Sequence, residues 1–409
     1  MLSNNSPALP ECLPGGMSVD TFLRDWWRKK PLLIRNAFPD FESPITPEEL
    51  AGLALEEEAV SRLILERGGT YPWELRHGPF REEDFANLPE THWTLLVQEV
   101  DRWVPELAGL FERFLFVPSW RFDDIMVSYA PEGGNVGAHV DRYDVFLIQA
   151  LGRREWRIGA KPLPAEEEVS VPDIDVDMLA DFEADEVLVL EPGDMLYLPP
   201  RVAHHGIALG PCMTFSVGFR APDHAEYLDA VLRRAIADAD PLGSFSGTES
   251  APPDHPGRIG EDVLDQLYIF VWDTLTAPVL EQAFGALVTE PQRGEELPAP
   301  EREWTGEDLA GALRGGAELV RAAPNRFAFV ERHNGCAVLF AHGETYPLEP
   351  ELAYAAPLIA GREPLNGETL KEALEDGDFL ELLAVLANAG SVEVSGGIFS
   401  TGVRWDAES

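Results

Sequence analysis

Apolar and polar positions along the chain change rhythm three times, and each change marks a different kind of structure. Between residues 17 and 118 the pattern is mixed. In SVDTFLRDWWRKK, residues Phe22, Leu23, Trp26 and Trp27 recur at helical spacing behind a capping Ser18 or Asp20, and Pro31 ends the run. PLLIRNAF then reads as a short strand. TPEELAGLALEE reads as a second short helix opened by Thr46 and Pro47. SRLILE predicts a strand, WELRHGPF a strand ending in a Gly-Pro turn, and THWTLLVQEVDRWVPELAGLFERF a helix in its later part.

From 119 to 220 the rhythm becomes that of short strands. RFDDIMVSYA, AHVDRYDVFLIQAL, REWRIG, EVLVL, DMLYLPP, HHGIAL and CMTFSVGF are separated by the turn signals PEGGNVG, LGRR, EPGD and LGP. Several short strands at close spacing imply a sandwich or barrel. The acidic insert PLPAEEEVSVPDIDVDMLADFEAD is expected to be a surface excursion.

After 222 the helical period returns. DHAEYLDAVLRRAIADA carries Tyr227, Leu228, Val231 and Leu232 on one stripe. Beyond the break GSFSGTESAPPDHPGRIG, EDVLDQLYIFVWDTLT has a rich apolar stripe of Val263, Leu264, Leu267, Tyr268, Phe270, Val271 and Leu275. Such a helix needs burial, either in its own core or against a second copy. The linker-like EPQRGEELPAPEREWTG leads into a small α+β unit: helix GEDLAGALRGGAELVRA, strands RFAFVER, CAVLFA and GETYPL, helices at YAAPLIAG and GETLKEALEDGDFLELLAVLANAG, then SVEVS. That order resembles a winged helix.

Composition narrows the functions available. The 409 residues exceed one typical domain, and a hydrophobic content of 45% supports sizeable cores. Against 31 basic residues stand 72 acidic ones, a net charge of -41. This excludes duplex DNA as a natural partner, because phosphate neutralisation dominates that affinity. The charge suits either a basic partner or a salt-adapted surface. Cys12, Cys212 and Cys336 form no CxxC pair, so neither a zinc ribbon nor a disulfide framework is expected. MLSNNSPALPECLPGG lacks the basic start and apolar core of a signal peptide, and no apolar run approaches a membrane span. A cytoplasmic setting is expected.

The chemistry concentrates in GAHVDRYDVFLIQALGRREWRIG, where a histidine and a carboxylate open an otherwise apolar run. On a strand, His139 and Asp141 would share a face. His204, just past the turn in EPGDMLYLPPRVAHHG, can complete a two-histidine, one-carboxylate set. That set leaves positions open for cosubstrate and O2 on Fe(II). Asp144 would fall on the opposite strand face, and His205 would point away from its neighbour. An arginine suits the far carboxylate of a keto-acid cosubstrate, and Arg153, Arg154 and Arg157 compete for that role.

These fragments, with LEPGDMLYLPPRVAHHGIAL, TFSVGFRAP and the flanking FLRDWWRKKPLLIRNAFP, WELRHGPF and WTLLVQEVDRW, resemble the JmjC-type ribosomal oxygenases of bacteria over nearly the whole chain. The resemblance implies an α+β architecture. A double-stranded β-helix, the JmjC/cupin jelly-roll barrel, occupies residues 1–221 with its core at about 119–220. A helical dimerisation region (222–295) and a winged-helix-like domain (296–409) follow. It further implies an Fe(II)-, 2-oxoglutarate- and O2-dependent hydroxylase acting on the β-carbon of an arginine in the sixteenth protein of the large ribosomal subunit. His139, Asp141 and His204 become the iron ligands, and Arg154 becomes the 2-oxoglutarate anchor.

Two positions depart from the family pattern: Ala130 stands where relatives often have serine, and Thr214 where they often have asparagine. Ser128, on the same face as Ala130, can compensate, and Thr214 can still hydrogen-bond. A basic ribosomal protein as substrate, a homodimer, and no DNA or membrane partner complete the expectation. A metal cupin acting on a small molecule, a histone-type demethylase and a non-catalytic ribosome-associated binding protein are the alternatives.

Overall fold

A computed structural model describes residues 9–68, 73–171, 178–238, 245, 255–291, 300, 302–321, 326–361 and 364–396. The breaks expected at 243–260 and 290–306 fall largely outside them. The chain divides into two compact units, one ending at Ala221 and the other beginning at Pro222.

The first unit runs α1 (Val19–Asp25), β1 (Leu32–Ile34), α2 (Pro47–Leu53), β2 (Ser61–Glu66), β3 (Trp73–His77), α3 (Glu82–Ala86), β4 (Trp93–Val97), α4 (Glu106–Phe111), β5 (Phe122–Ala130), β6 (Asp144–Leu151), β7 (Arg154–Pro162), β8 (Glu186–Leu190), β9 (Met195–Leu198), β10 (Val202–Ala208) and β11 (Cys212–Phe219). Caps start the helices where expected. The Ser18 hydroxyl accepts from the Thr21 N–H, and Thr46 with Glu49 closes a capping box ahead of Pro47.

The strands form an eight-stranded sheet, ordered β1-β9-β6-β11-β5-β4-β2-β3, and a three-stranded sheet, β10-β7-β8. Strand β6 is apolar on both faces because both faces are covered. Val145 and Leu147, with Leu196 on the neighbouring β9, pack inward against Trp156, Ile158, Leu190 and Val202 of the facing sheet. Phe146, Ile148 and Ala150 point outward into a core with Phe22, Leu50 and Phe114. Aromatic rings seal this outer layer: Tyr197 lies 4.9 Å from Phe22, edge-on, and 5.6 Å from Trp27, stacked. Two facing sheets closed in this way make the double-stranded β-helix of the JmjC/cupin fold.

The acidic insert is not the free surface excursion expected. Val171, Met178 and Leu179 are buried, and the Leu179 N–H donates to the Ala138 carbonyl at 2.7 Å. Its apolar residues therefore fold back beside the segment that carries His139.

The second unit contains α5 (His224–Asp238), α6 (Glu261–Thr274), α7 (Ala277–Thr289), α8 (Gly306–Arg314), β12 (Glu318–Arg321), β13 (Phe327–Glu331), β14 (Ala337–Ala341), β15 (Glu344–Leu348), α9 (Ala355–Ala360), β16 (Leu365–Asn366), α10 (Gly377–Asn388) and β17 (Val392–Ser395). Helix α7 was not visible in the polarity pattern. Two elements are shorter than expected. The run GEDLAGALRGGAELVRA breaks at Gly315–Gly316 into α8 and β12, and Asp376 caps α10 part-way through the second long run.

At one end of β5 the buried Asp124 accepts the Glu99 N–H at 3.0 Å, and the half-buried Asp101 accepts the Ile125 N–H at 2.8 Å. Burial, then the neighbouring charge of Asp123, pushes the Asp124 carboxyl up from 3.8 to about 7. The folded chain thus holds this proton more tightly than the unfolded chain. The associated stability is fully present below about pH 4 and is lost as pH rises through about 7. Asp124→Asn keeps an acceptor for Glu99 and removes the charge. The variant's melting temperature, relative to wild type, should therefore rise by several degrees between pH 5 and pH 8. A difference that stays constant over that range would refute the assignment.

Candidate metal centre

The segment carrying His139 is not the regular strand expected, since β6 begins only at Asp144. His139 instead forms an isolated antiparallel bridge with His204 at the start of β10. The His139 N–H donates to the His204 carbonyl at 3.0 Å, and the His204 N–H donates back at 2.9 Å. This reciprocal pair sets the two imidazoles side by side, 4.2 Å between centroids. Asp141 reaches the same point, with Oδ2 3.4 Å from His204 Nε2 and Oδ1 4.0 Å from His139 Nε2. One ligand atom from each of the three residues lies within 4.8 Å of the other two.

The outer nitrogens are held by backbone. His139 Nδ1 donates to the Gly137 carbonyl at 3.1 Å, and His204 Nδ1 to the Val202 carbonyl at 2.9 Å. Carbonyls only accept, so both protons sit on Nδ1 and both Nε2 lone pairs face Asp141. Burial, then the adjacent His139, pulls the His204 imidazole down to about 4. It is neutral at physiological pH, as a metal ligand must be. The donor set fits a divalent ion held by two imidazoles and one carboxylate.

Further along the barrel interior, the three-stranded sheet contributes Arg154, only 5% exposed. Its Nη1 donates to Ser128 Oγ on β5 at 3.3 Å. Ser128 is in register with Thr214, and Thr214 with Gln149. Thr214 Oγ1 donates to Gln149 Oε1 at 3.1 Å. The structure thus gathers Arg154, Ser128 and Thr214 into one polar patch. It adds Gln149, whose place inside an apolar run was the available signal. Arg153, just before β7, and Arg157 on it are exposed, so burial separates the three competing arginines. Ala130 packs with Ala208 and Cys212.

Asp144 faces outward and accepts from the Tyr197 hydroxyl at 2.6 Å, far from a ligand role. His205 is half-buried rather than solvated, with Nε2 3.0 Å from Asn135 Oδ1. Asn135 also escaped the sequence reading, because an asparagine in a glycine-rich turn looks like turn chemistry.

Arg154 Nε and Nη2 and Trp156 Nε1 are buried without a hydrogen-bond partner. Buried donors are normally satisfied, so this patch is built for an acceptor from outside the chain. A carboxylate suits the guanidinium fork. Trp156 lies between Arg154 and His204 on the inward face of β7, its ring 5.8 Å from that of His204. It fits there because residue 206 opposite is glycine. A Cβ at 206 would meet the indole at 2.8 Å.

With this geometry in hand, comparison with known proteins is decisive. The chain is 38% identical over 378 residues to the ribosomal protein uL16 3-hydroxylase of Escherichia coli K12, covering 90% of this chain and 95% of that protein. It belongs to the ribosomal oxygenase family. A probable ribosomal oxygenase of Haemophilus influenzae is 42% identical over 391 residues, covering 92% of this chain and 91% of its own. The JmjC domain family matches residues 109–227, and the ROXA-like winged helix family matches 276–393. The crystal structure of the E. coli ribosomal oxygenase YcfD superposes with a TM-score of 0.79 at 34% identity, over 93% of this chain and 98% of YcfD. YcfD has also been solved with cobalt and 2-oxoglutarate, with a TM-score of 0.78 to this chain. The winged-helix match begins at the cap of α7. That helix packs into the C-terminal unit through Gly285, where a Cβ would meet the Phe340 ring at 2.4 Å.

Gly206→Ala must displace the Trp156 ring or the strand. It should lower unfolding stability by about 1–3 kcal/mol, read as a shifted urea midpoint. An unchanged midpoint would show that the indole is free to move.

Proposed function

We propose that this chain is an Fe(II)- and 2-oxoglutarate-dependent protein hydroxylase that adds a hydroxyl group to the β-carbon of an arginine in large-subunit ribosomal protein uL16. The observation that carries the reading is the pairing of two features in one barrel interior: a two-histidine, one-carboxylate set, and a buried arginine with two unpaired N–H groups. A cupin using metal alone would have no need of the second.

His139, Asp141 and His204 hold the iron, and the cobalt of the E. coli relative stands in for that ion. Arg154 takes the far carboxylate of 2-oxoglutarate, and Ser128 orients the guanidinium toward it. Thr214 and Gln149 complete the polar end, while Val145, Leu147 and Trp156 keep the interior dry. Bound iron, with 2-oxoglutarate and O2, supplies the oxidising power for C–H hydroxylation, leaving succinate and CO2. What the protein contributes is position and exclusion of water.

The net charge of -41 suits a basic substrate protein, drawn in by long-range attraction. A ribosomal substrate puts the work in the cytoplasm. Among the described residues no helix is long and apolar enough to cross a membrane. The second unit supports a homodimer. No residue of α6 is buried, and Tyr268, Ile269 and Trp272 stand open at 59%, 59% and 74% exposure. Leu228, Leu232 and Ile236 form a second open stripe on α5. Apolar surface of this kind marks an interface. On this reading α5 and α6, within the 222–295 region, mediate dimerisation, and the winged-helix-like module expected at 296–409 begins earlier, at α7.

The test is succinate formation from 2-oxoglutarate with Fe(II) and recombinant uL16, coupled to a substrate mass gain of one oxygen atom. His139→Ala should abolish both. Arg154→Ala should raise the 2-oxoglutarate KM about 10–100-fold, the worth of a lost charge-assisted hydrogen bond. Metal binding without turnover on uL16 would leave the centre standing and remove the substrate. For the dimer, light scattering should give twice the chain mass, falling to the monomer in Trp272→Glu. A wild-type monomer at every concentration would end that part of the proposal.

A further inference from the structure

Asn135 is 6% exposed and uses every polar atom of its side chain. Nδ2 donates to Glu66 Oε2 at 2.9 Å and to the Gly133 carbonyl at 3.0 Å. Oδ1 accepts the Gly137 N–H at 3.0 Å and stands 3.0 Å from His205 Nε2. Two acceptors surround one end of the amide, and a backbone donor meets the other. The amide therefore has one orientation, and His205 Nε2 must be a donor. The backbone carbonyl of Asn135 is also held, accepting Thr94 Oγ1 at 3.2 Å.

These bonds lead directly to the ligands. Gly137, whose N–H Asn135 holds, offers its own carbonyl to His139 Nδ1 at 3.1 Å. Gly137 has φ +76°, and a Cβ there would meet Met178 Sδ at 2.8 Å, so its peptide has little room to shift. His205 adjoins His204 on β10. A single amide thus links the loop that presents one histidine ligand to the strand that presents the other. It ties both to Glu66 at the end of β2.

We propose that Asn135 is a positioning residue for the metal centre, setting His139 through Gly137 and binding that loop to the His204 strand through His205, so that the ligands are spaced before the ion arrives. The inference rests on the iron-centre reading above. Asn135 does not touch the ion. It acts on ligand orientation, and outer-shell partners of this kind typically govern about 10–100-fold in metal affinity.

The experiment titrates full-length, metal-free protein with Co(II), by calorimetry and by the visible Co(II) spectrum, which reports ligand geometry. Asn135→Ala should weaken Co(II) binding about 10–100-fold and shift the spectrum. Affinity for 2-oxoglutarate at saturating Co(II) should stay unchanged, because Arg154 and Ser128 are untouched. Asn135→Asp, which sets a carboxylate against Glu66, should be similarly weakened. Adding Glu66→Gln reverses the donor and acceptor of that contact and should restore part of the affinity, the Gly133 carbonyl still facing a carboxylate oxygen. This pair keeps the test intact if Asn135→Ala does not fold. Wild-type Co(II) affinity and spectrum in Asn135→Ala, or no rescue by the double variant, would overturn the proposal. Equal loss of metal and 2-oxoglutarate affinity would also overturn it, since that marks general loosening. If the wild-type protein itself binds no Co(II), the iron-centre reading fails together with this one.

Discussion

The site depends on one reciprocal pair of backbone hydrogen bonds between His139 and His204. Side chains alone could not bring these residues together, because they lie far apart in sequence and their pairing with each other is confined to this one bridge. The bridge fixes the separation of the two imidazoles, and backbone carbonyls then fix their rotation. Asp141 needs only to reach a point already defined. Much of the barrel can be understood as holding that bridge in place. Strand β10 is paired along β7, the insert closes on Ala138, and the Arg201 N–H anchors the Asp141 carbonyl at 2.6 Å.

Burial in this fold is divided by purpose. The outer face of the larger sheet is packed with aromatic rings, and polar contacts there gather at Asp144, Tyr197 and Arg28. The inner face is apolar beside β6 and β9 and polar at Ser128, Gln149 and Thr214, which Arg154 of the smaller sheet meets through Ser128. A buried guanidinium with unpaired N–H groups is costly in a protein that binds nothing there. In a protein that receives a carboxylate, the same groups are ready before the ligand arrives. The second unit is organised differently. Its α+β core is closed, whereas α6 leaves its apolar residues uncovered. Among the described residues, the greasy stripe seen in the sequence lies outside the buried cores.

Most strands of the barrel were legible in the chain because their ends are marked by glycine, proline and aspartate and their interiors by branched and aromatic residues. The three candidate ligands stood out too, since a histidine and an acid at the mouth of so apolar a run have no packing reason to be there. The argument that found them was only partly correct: His139 and Asp141 meet through an irregular segment, not by alternation on one strand. Helix α7 was missed because its apolar residues surround the helix without a polar face to reveal the period. The insert was misjudged because its acidic residues outnumber the few apolar ones that fold inward.

The sequence by itself carried the resemblance that points to the family. It also determined the candidate metal-ligand types, the β-rich core and the charge that any partner must meet. These follow from local composition and spacing, which the linear chain carries in full. Only the tertiary structure decided which arginine is buried, that Gln149 and Asn135 belong to the site, and that α6 stands exposed. Each of those depends on which face of a strand or helix meets another element. Two residues on one strand look alike in the sequence until a second sheet covers one side. Arg154 and Arg153 are neighbours in the chain, and only the closure of the barrel puts one in the interior and leaves the other in water.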